Sequence, residues 1–171
     1  GGPYRESGIC SYIGPDHKAT TPWAVDSNEN PIFRGWATGV VSYDPAPDVG
    51  YSWNNPEMAL LKSYINTDFL DRLLDVVSLG DPCEGELNAG TPPGQITLSF
   101  TETIRDQNGY DFVVFENSFY TGPNRYFCEL GYVEVSSDNM YFARFPSVSL
   151  TGGRVGAYGM IDITNVYNLA G

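Results

Sequence analysis

Short runs of β-forming residues, each closed by glycine, proline or asparagine turns, dominate the chain from residue 95 onward. The runs QITLSF (95–100) and GYVEVSS (131–137) alternate between apolar and polar side chains, whereas YDFVVFEN (110–117) is almost continuously apolar. A fourth run, YFARF (141–145), follows the predicted turn Asp138-Asn139. No helical pattern separates these runs, so the sequence predicts a mainly β fold, an antiparallel β-sandwich of jelly-roll type.

The first part of the chain has a different character. Residues 1–32 are rich in Gly, Pro, Ser, Asp and Asn and show no apolar period, which predicts an irregular N-terminal arm. The remainder, 33–171, is assigned to the sandwich, beginning with a predicted strand at 33–43. One or two short helices are expected here, the first after an Asn-Pro cap at Asn55 and the second over 68–79.

The charge balance limits the partners of the chain. It has 171 residues with 9 basic and 21 acidic side chains, a net charge of −12. This surplus repels phosphate backbones and anionic headgroups, so we exclude nucleic acid and anionic membranes as partners and regard cations as the natural counterpart. No apolar run is long enough for a transmembrane segment, and the Gly1-Gly2-Pro3 start lacks the features of a signal peptide, so we expect the mature chain.

Cysteine and histidine usage argues against several kinds of catalytic site. Cys10, Cys83 and Cys128 are too widely spaced for a zinc knuckle, and His17 is the single histidine, which excludes thiolate-zinc and haem sites. There is no G-x-S-x-G motif to accompany His17 as a base. Paired acids could form a glycosidase dyad, but 21 acidic residues supply many accidental pairs. We therefore expect a protein that is not an enzyme.

Oxygen-bearing side chains gather near the ends of the predicted strands. Carboxylate and amide oxygens are what Ca²⁺ requires, at six to eight per ion. The candidate calcium ligands are Asp111, Glu116, Asn117, Glu129 and Asp138. Glu116 lies in line with Phe112 and Val114 on the predicted core face, so its carboxylate needs a metal, an arginine or backbone N–H groups as a partner. A purely structural hydrogen-bond network is the alternative to a metal site.

Aromatic side chains offer a second functional route. The chain has 12 Tyr, 9 Phe and 3 Trp, and exposed rings on loops bind sugars or protein partners. Candidate ligand contacts are Tyr51 and Trp53 in GYSWNN and Tyr120, Asn124 and Tyr126 in SFYTGPNRY. Burial in the core is the alternative for each ring.

The hairpin from Tyr132 to Phe142 resembles the V-x-V-S-x-D-G-x-x-W/F hairpin of discoidin-like, galactose-binding-type jelly rolls. Asn139 stands where that pattern has Gly, and Asn tolerates the positive φ that the turn needs. Over residues 33–171 the chain also resembles a group of uncharacterised secreted bacterial cell-surface proteins with PEP-CTERM sorting tails. The ordered segments that carry this resemblance are FRGWATGVV, NPEMAL, VVSLG, DFVVFEN, EL and VEVSSD.

The resemblance implies a secreted protein of the bacterial cell surface with a galactose-binding-like fold. It adds a second calcium candidate at Asn55 and Glu57, where discoidin-like folds hold structural calcium, although a plain helix cap explains these residues equally well. Three cysteines allow three pairings or none. Cys83 lies in an apparent insertion and Cys128 replaces a small residue, which favours a disulfide between them.

The family continues with further strands after the segment that matches residues 162–171. We expect the sandwich to lack these strands, either because the chain is a fragment or because another chain supplies them. The implied function is a non-catalytic, calcium-stabilised extracellular module that recognises carbohydrate or another surface component. The alternative is a structural subunit of a filament, sheath or larger surface complex, assembled through the N-terminal arm and an open sheet edge.

Overall fold

The computed structural model describes residues 12–13, 19–20, 27, 34–60, 76–108, 111–116, 118–123, 125–156 and 158–170. The chain divides into two compact units, one formed by residues 33–105 and the other by 1–32 together with 106–171. Within the described residues strands predominate and helices are few and short, which confirms the mainly β character. The assignment of an arm to 1–32 and a sandwich to 33–171 stays a prediction.

The described strands before residue 100 form two antiparallel pairs. Strands β1 (Tyr12–Ile13) and β2 (Ala19–Thr20) pair within the N-terminal segment. In the unit formed by 33–105, β3 (Gly39–Asp44) pairs with β4 (Gln95–Ser99), with an irregularity in the register of β3 between Val40 and Ser42. Both strands fall within or beside the predicted runs, because those runs are rich in β-branched and aromatic residues.

A cap at Asn55 starts a short helix, as the sequence predicts, but the helix is of the 3₁₀ type and spans Pro56–Leu60. The Asn55 side-chain oxygen accepts a hydrogen bond from the Glu57 N–H at 3.2 Å. The second predicted helix lies mostly outside the described residues, and its described part, 76–79, is not helical. A further 3₁₀ helix covers Tyr51–Trp53.

The helix α1 (Glu84–Asn88) lies in the apparent insertion around Cys83, where the sequence predicts no helix. Its start is stabilised by Glu86, whose carboxylate accepts a hydrogen bond from the Cys83 N–H at 2.7 Å. This bond holds the pKa of Glu86 below its usual range. Two glutamates in the first turn also suit the positive end of the helix dipole.

Residues 106–171 of the second unit contain nine short strands, and all of their pairings are antiparallel within the described residues. The strands are β5 (Phe119–Gly122), β6 (Arg125–Phe127), β7 (Gly131–Tyr132), β8 (Glu134–Val135), β9 (Ala143–Arg144), β10 (Val148–Ser149), β11 (Met160–Ile161), β12 (Val166–Tyr167) and β13 (Leu169–Ala170). Strands β11, β6 and β5 form a three-stranded sheet in that order. A 3₁₀ helix at Ile163–Asn165 precedes β12 and is capped by the Asp162 side chain.

Six of these strands form three separate antiparallel pairs. Strand β8 pairs with β9, β10 pairs with β12, and β13 returns to pair with β7, the neighbour of β8 in the chain. Asn168, between β12 and β13, has φ +54 and donates from its side-chain nitrogen to the Pro146 carbonyl at 2.9 Å. Its left-handed conformation redirects the chain between the two pairings.

The hairpin of β8 and β9 confirms the predicted turn. Glu134 lies opposite Arg144 and Val135 opposite Ala143. Asn139 has φ +58, which is the positive φ that the sequence pattern predicts for this position of the turn.

The run YDFVVFEN is not the ladder strand that the sequence predicts, because among its described residues only Val114 forms a bridge. Its described apolar residues are half-buried instead, and Phe112 packs at a tilt against Phe145 with ring centroids 5.7 Å apart. The next segment, interpreted as a loop, forms the hairpin of β5 and β6. Its Gly122-Pro123 turn brings two aromatic runs into pairing distance.

The core of the second unit is formed mainly by residues of β6, β11, β12 and β13. It consists of Tyr126, Cys128, Ile161, Val166 and Leu169, with Leu130 and Ile163 packed against it. In the other unit Ala46 is the buried apolar residue among those described. Because the sheets have two or three strands each within the described residues, the jelly-roll topology stays a prediction.

Candidate functional site

The structure brings together two of the predicted calcium ligands, Glu116 and Glu129. One carboxylate oxygen of Glu116, Oε1, accepts a hydrogen bond from the Glu129 backbone N–H at 3.4 Å, and Ser118 also donates to this carboxylate. The other oxygen, Oε2, is buried and has no hydrogen-bond partner within the described part of the chain. Such an oxygen is costly unless a proton or a cation satisfies it.

The protonation of Glu116 follows from this environment. Burial raises the pKa of Glu116 to about 7, and the negative charge of Glu129 acts in the same direction. The hydrogen bonds from Glu129 and Ser118 oppose the shift without cancelling it. Near neutral pH this carboxyl group is therefore poised to take up either a proton or a positive ion.

The donor atoms suit calcium, since the side chains of Glu116 and Glu129 both offer hard carboxylate oxygens. Only two of the predicted ligands meet here. Among the described residues, no group of three or more acidic, histidine or cysteine side chains is positioned to hold a metal ion. Asn117, the ligand predicted between them in sequence, lies outside those residues. Backbone carbonyls and water would have to complete the coordination of an ion held by Glu116 and Glu129.

Asp111 and Asp138 have local structural roles in turns. Asp111 accepts a hydrogen bond from the Gln107 N–H at 2.9 Å.

Asp138 accepts hydrogen bonds from the N–H groups of Met140 and Tyr141, both at 2.9 Å, and from the Ser136 hydroxyl at 3.0 Å. These bonds hold the pKa of Asp138 below its usual range. The S-x-D spacing at a turn is the sequence signal that could have identified this network.

The second calcium candidate, Asn55 with Glu57, matches its alternative interpretation as a helix cap. The Asn55 carbonyl accepts from the Met58 N–H at 3.2 Å, in addition to the side-chain bond to Glu57. Both residues lie in the unit formed by 33–105, whereas Glu116 lies in the other unit. A metal role for Asn55 and Glu57 stays a prediction.

The predicted ligand contacts Tyr51 and Trp53 are exposed. They lie on one 3₁₀ helix, where 92% of Tyr51 and 41% of Trp53 is accessible to solvent. A Cβ placed on Gly50 would come within 3.0 Å of the Trp53 ring, so the indole lies directly over this glycine. The turn therefore presents one ring that is almost fully exposed and one ring packed on the backbone.

The structure corrects the prediction for Tyr126, because this residue is only 3% exposed and belongs to the core. Alternation along β6 directs Tyr126 inward and its neighbours Arg125 and Phe127 to the opposite face. Tyr120 lies in β5, but its side chain is outside the described part of the structure. Asn124 lies outside the described residues.

A row of aromatic rings on the outer face of the three-stranded sheet was not predicted from the sequence. Phe119 stacks on Phe127 with ring centroids 5.0 Å apart, and Phe127 stacks on Tyr158 with centroids 6.3 Å apart. A hairpin predicted at Gly122-Pro123 would place Phe119 opposite Phe127, as the structure does. No local sequence signal points to Tyr158, which approaches from a distant turn.

The predicted disulfide between Cys83 and Cys128 stays a prediction. Cys83 is exposed at the start of α1, and Cys128 is buried in the core of the other unit. The third cysteine, Cys10, lies outside the described residues.

No helix in the described part of the chain is long and apolar enough to cross a bilayer. Comparisons of the chain with protein-family models, with curated proteins and with solved structures found no match.

Proposed function

We propose that this chain is a non-catalytic extracellular module of the β-sandwich type that recognises carbohydrate through exposed aromatic rings. The observation that carries the proposal is the short 3₁₀ helix with Tyr51 and Trp53, because it displays two rings in one turn of backbone. The secreted location and the jelly-roll topology belong to the same proposal and rest on the resemblance of the sequence.

Aromatic rings suit sugars because the apolar face of a pyranose packs on a ring while its hydroxyl groups stay hydrated. A tyrosine that is 92% exposed contributes little to the folded core, so its ring is available to a ligand. The net charge of −12 disfavours polyanionic glycans and favours neutral ones.

Affinity gel electrophoresis with soluble starch, mixed-linkage β-glucan, xylan and galactan tests this proposal. We expect at least one of these neutral polysaccharides to retard the chain. Tyr51→Ala and Trp53→Ala should each weaken that binding about tenfold, which corresponds to roughly 1.4 kcal/mol of lost stacking. Tyr141→Ala is the matched control, because Tyr141 is 80% exposed on the tip of the hairpin of β8 and β9.

No retardation by any polysaccharide would contradict the carbohydrate proposal. The alternative is then a structural subunit, supported by strands β3 and β4, which pair only with each other within the described residues. Their outer edges are templates for strand addition. A particle size that grows with protein concentration, without glycan binding, would favour that alternative.

Calcium stabilisation is part of the proposed function and rests on the buried Oε2 of Glu116 beside Glu129. At a concentration of 100 times its dissociation constant, Ca²⁺ should raise the free energy of unfolding by about 2.7 kcal/mol. We expect a Tm higher by roughly 5 to 11 °C in millimolar Ca²⁺ than in excess chelator at pH 7.5. Glu116→Gln should abolish this difference, and Glu57→Gln is the control that distinguishes the two predicted sites. An equal Tm in both buffers would contradict calcium binding.

A further inference from the structure

The strongest unexplained feature of the second unit is the backbone conformation of Tyr158. The Gly159 N–H donates to the Gly156 carbonyl at 2.7 Å, which closes a four-residue turn with Tyr158 in its third position. Tyr158 has φ +64 there, a conformation in which such turns favour Gly or Asn. For a bulky side chain this conformation is strained, and strained residues of this kind concentrate at ligand-binding sites.

The strain does not serve burial, since 85% of Tyr158 is exposed. It places the ring at the end of the aromatic row, stacked on Phe127 with an angle of 25° between the two ring planes. Phe119 forms the other end of the row and is 48% exposed. With this exposure, most of the Tyr158 side-chain surface that does not meet Phe127 is open to a ligand.

Polar groups lie on the same face of the sheet. Arg125 is two residues before Phe127 in β6, so both side chains leave the strand on the outer side, opposite the buried Tyr126. The Thr121 hydroxyl donates to the Arg125 carbonyl at 3.0 Å and closes this end of the hairpin. Met160 lies opposite Phe127, so Arg125 continues this face on the side of Phe127 away from Tyr158. Its guanidinium supplies several N–H donors for the hydroxyl groups of a sugar that spans the face.

We propose that the row formed by Phe119, Phe127 and Tyr158, with Arg125 on the same face of β6, is a second carbohydrate subsite that stacks a neutral pyranose on Tyr158. This inference rests on the proposed function for its ligand class but on different residues in the other unit. The net charge of −12 favours a neutral sugar over a uronate despite the charge of Arg125 on this face.

The test measures binding of Tyr158→Gly and Tyr158→Phe to the same four polysaccharides by affinity electrophoresis. Glycine adopts φ +64 without strain, so Tyr158→Gly should fold with an undiminished Tm. We expect this variant to bind at least about tenfold more weakly, whereas Tyr158→Phe keeps the ring and binds like the wild type. Tyr51→Ala, measured in parallel, reports on the other unit.

The three outcomes of this test are distinguishable. If the wild-type chain binds a polysaccharide and Tyr158→Gly binds it equally well, the second subsite is overturned while the proposed function stands. If the wild-type chain binds none of the four, both fail. Light scattering completes the test, because a wild-type dimer that Tyr158→Gly dissociates would show that a second copy covers the row, which also overturns the inference.

Discussion

Gly94→Ala is expected to lower the free energy of unfolding of the unit formed by 33–105 by about 3 kcal/mol or more. A Cβ on Gly94 would overlap the Leu79 carbonyl oxygen and would lie 2.8 Å from the Ala46 backbone nitrogen. These two groups form a hydrogen bond of 2.8 Å with each other. The added methyl group therefore meets backbone, which cannot move aside by changing a rotamer.

Gly35→Ala is the matched control for this substitution. Gly35 lies in the same unit and is exposed, and a Cβ added to it would have no heavy atom within 4 Å, so the change should stay within about 0.5 kcal/mol. Urea unfolding followed by tryptophan fluorescence measures both variants. Equal unfolding midpoints for Gly94→Ala and Gly35→Ala would contradict the close packing of Gly94 against Leu79 and Ala46.

The elements that the sequence predicts well are those specified by neighbouring residues. The hairpin around Asp138 and Asn139 depends on hydrogen bonds within the turn and on one residue with positive φ, and the sequence predicts both. The cap at Asn55 is local in the same sense. In each case the stabilising partners lie within a few residues of one another.

Prediction fails where the deciding contacts are distant in the chain. An apolar run such as YDFVVFEN indicates burial, but whether it joins a ladder depends on a partner strand that the run itself does not specify. The row of Phe119, Phe127 and Tyr158 depends on β11, which pairs with β6 although the two strands are far apart in sequence. Tyr158 also contradicts its local turn preference, so sequence rules would place a glycine there rather than a ring.

The candidate cation site is an intermediate case. Alternation along 112–116 indicates that the Glu116 carboxylate faces the interior and needs a partner. The identity of that partner, the backbone N–H of Glu129, follows only from the fold. The alternation therefore predicts that Glu116 needs a partner. It cannot predict that the oxygens of Asp111 and Asp138, predicted as ligands beside it, accept hydrogen bonds from nearby backbone N–H groups.

Glu116 should make the chain less stable as the pH rises through the neutral range in the presence of chelator. Its pKa is about 7 in the folded chain and near 4.5 in the unfolded chain. Between these values the folded state binds one more proton than the unfolded state, so the free energy of unfolding falls as pH increases. The full shift would correspond to about 3 kcal/mol, and partial solvent access reduces the expected loss to about 2 kcal/mol.

Glu116→Gln isolates this contribution from the other acidic residues. The amide is neutral at every pH, so the variant should match the wild type near pH 5 and exceed its free energy of unfolding by about 2 kcal/mol at pH 8. Urea unfolding at both pH values in chelator measures the difference, and exposed Glu102→Gln serves as the control. A constant difference between Glu116→Gln and the wild type across this range would mean that the buried Oε2 already has a partner that stabilises its charge. Millimolar Ca²⁺ should reverse the order at pH 8, because a cation held by the wild-type carboxylate replaces the proton and the amide cannot hold it as tightly.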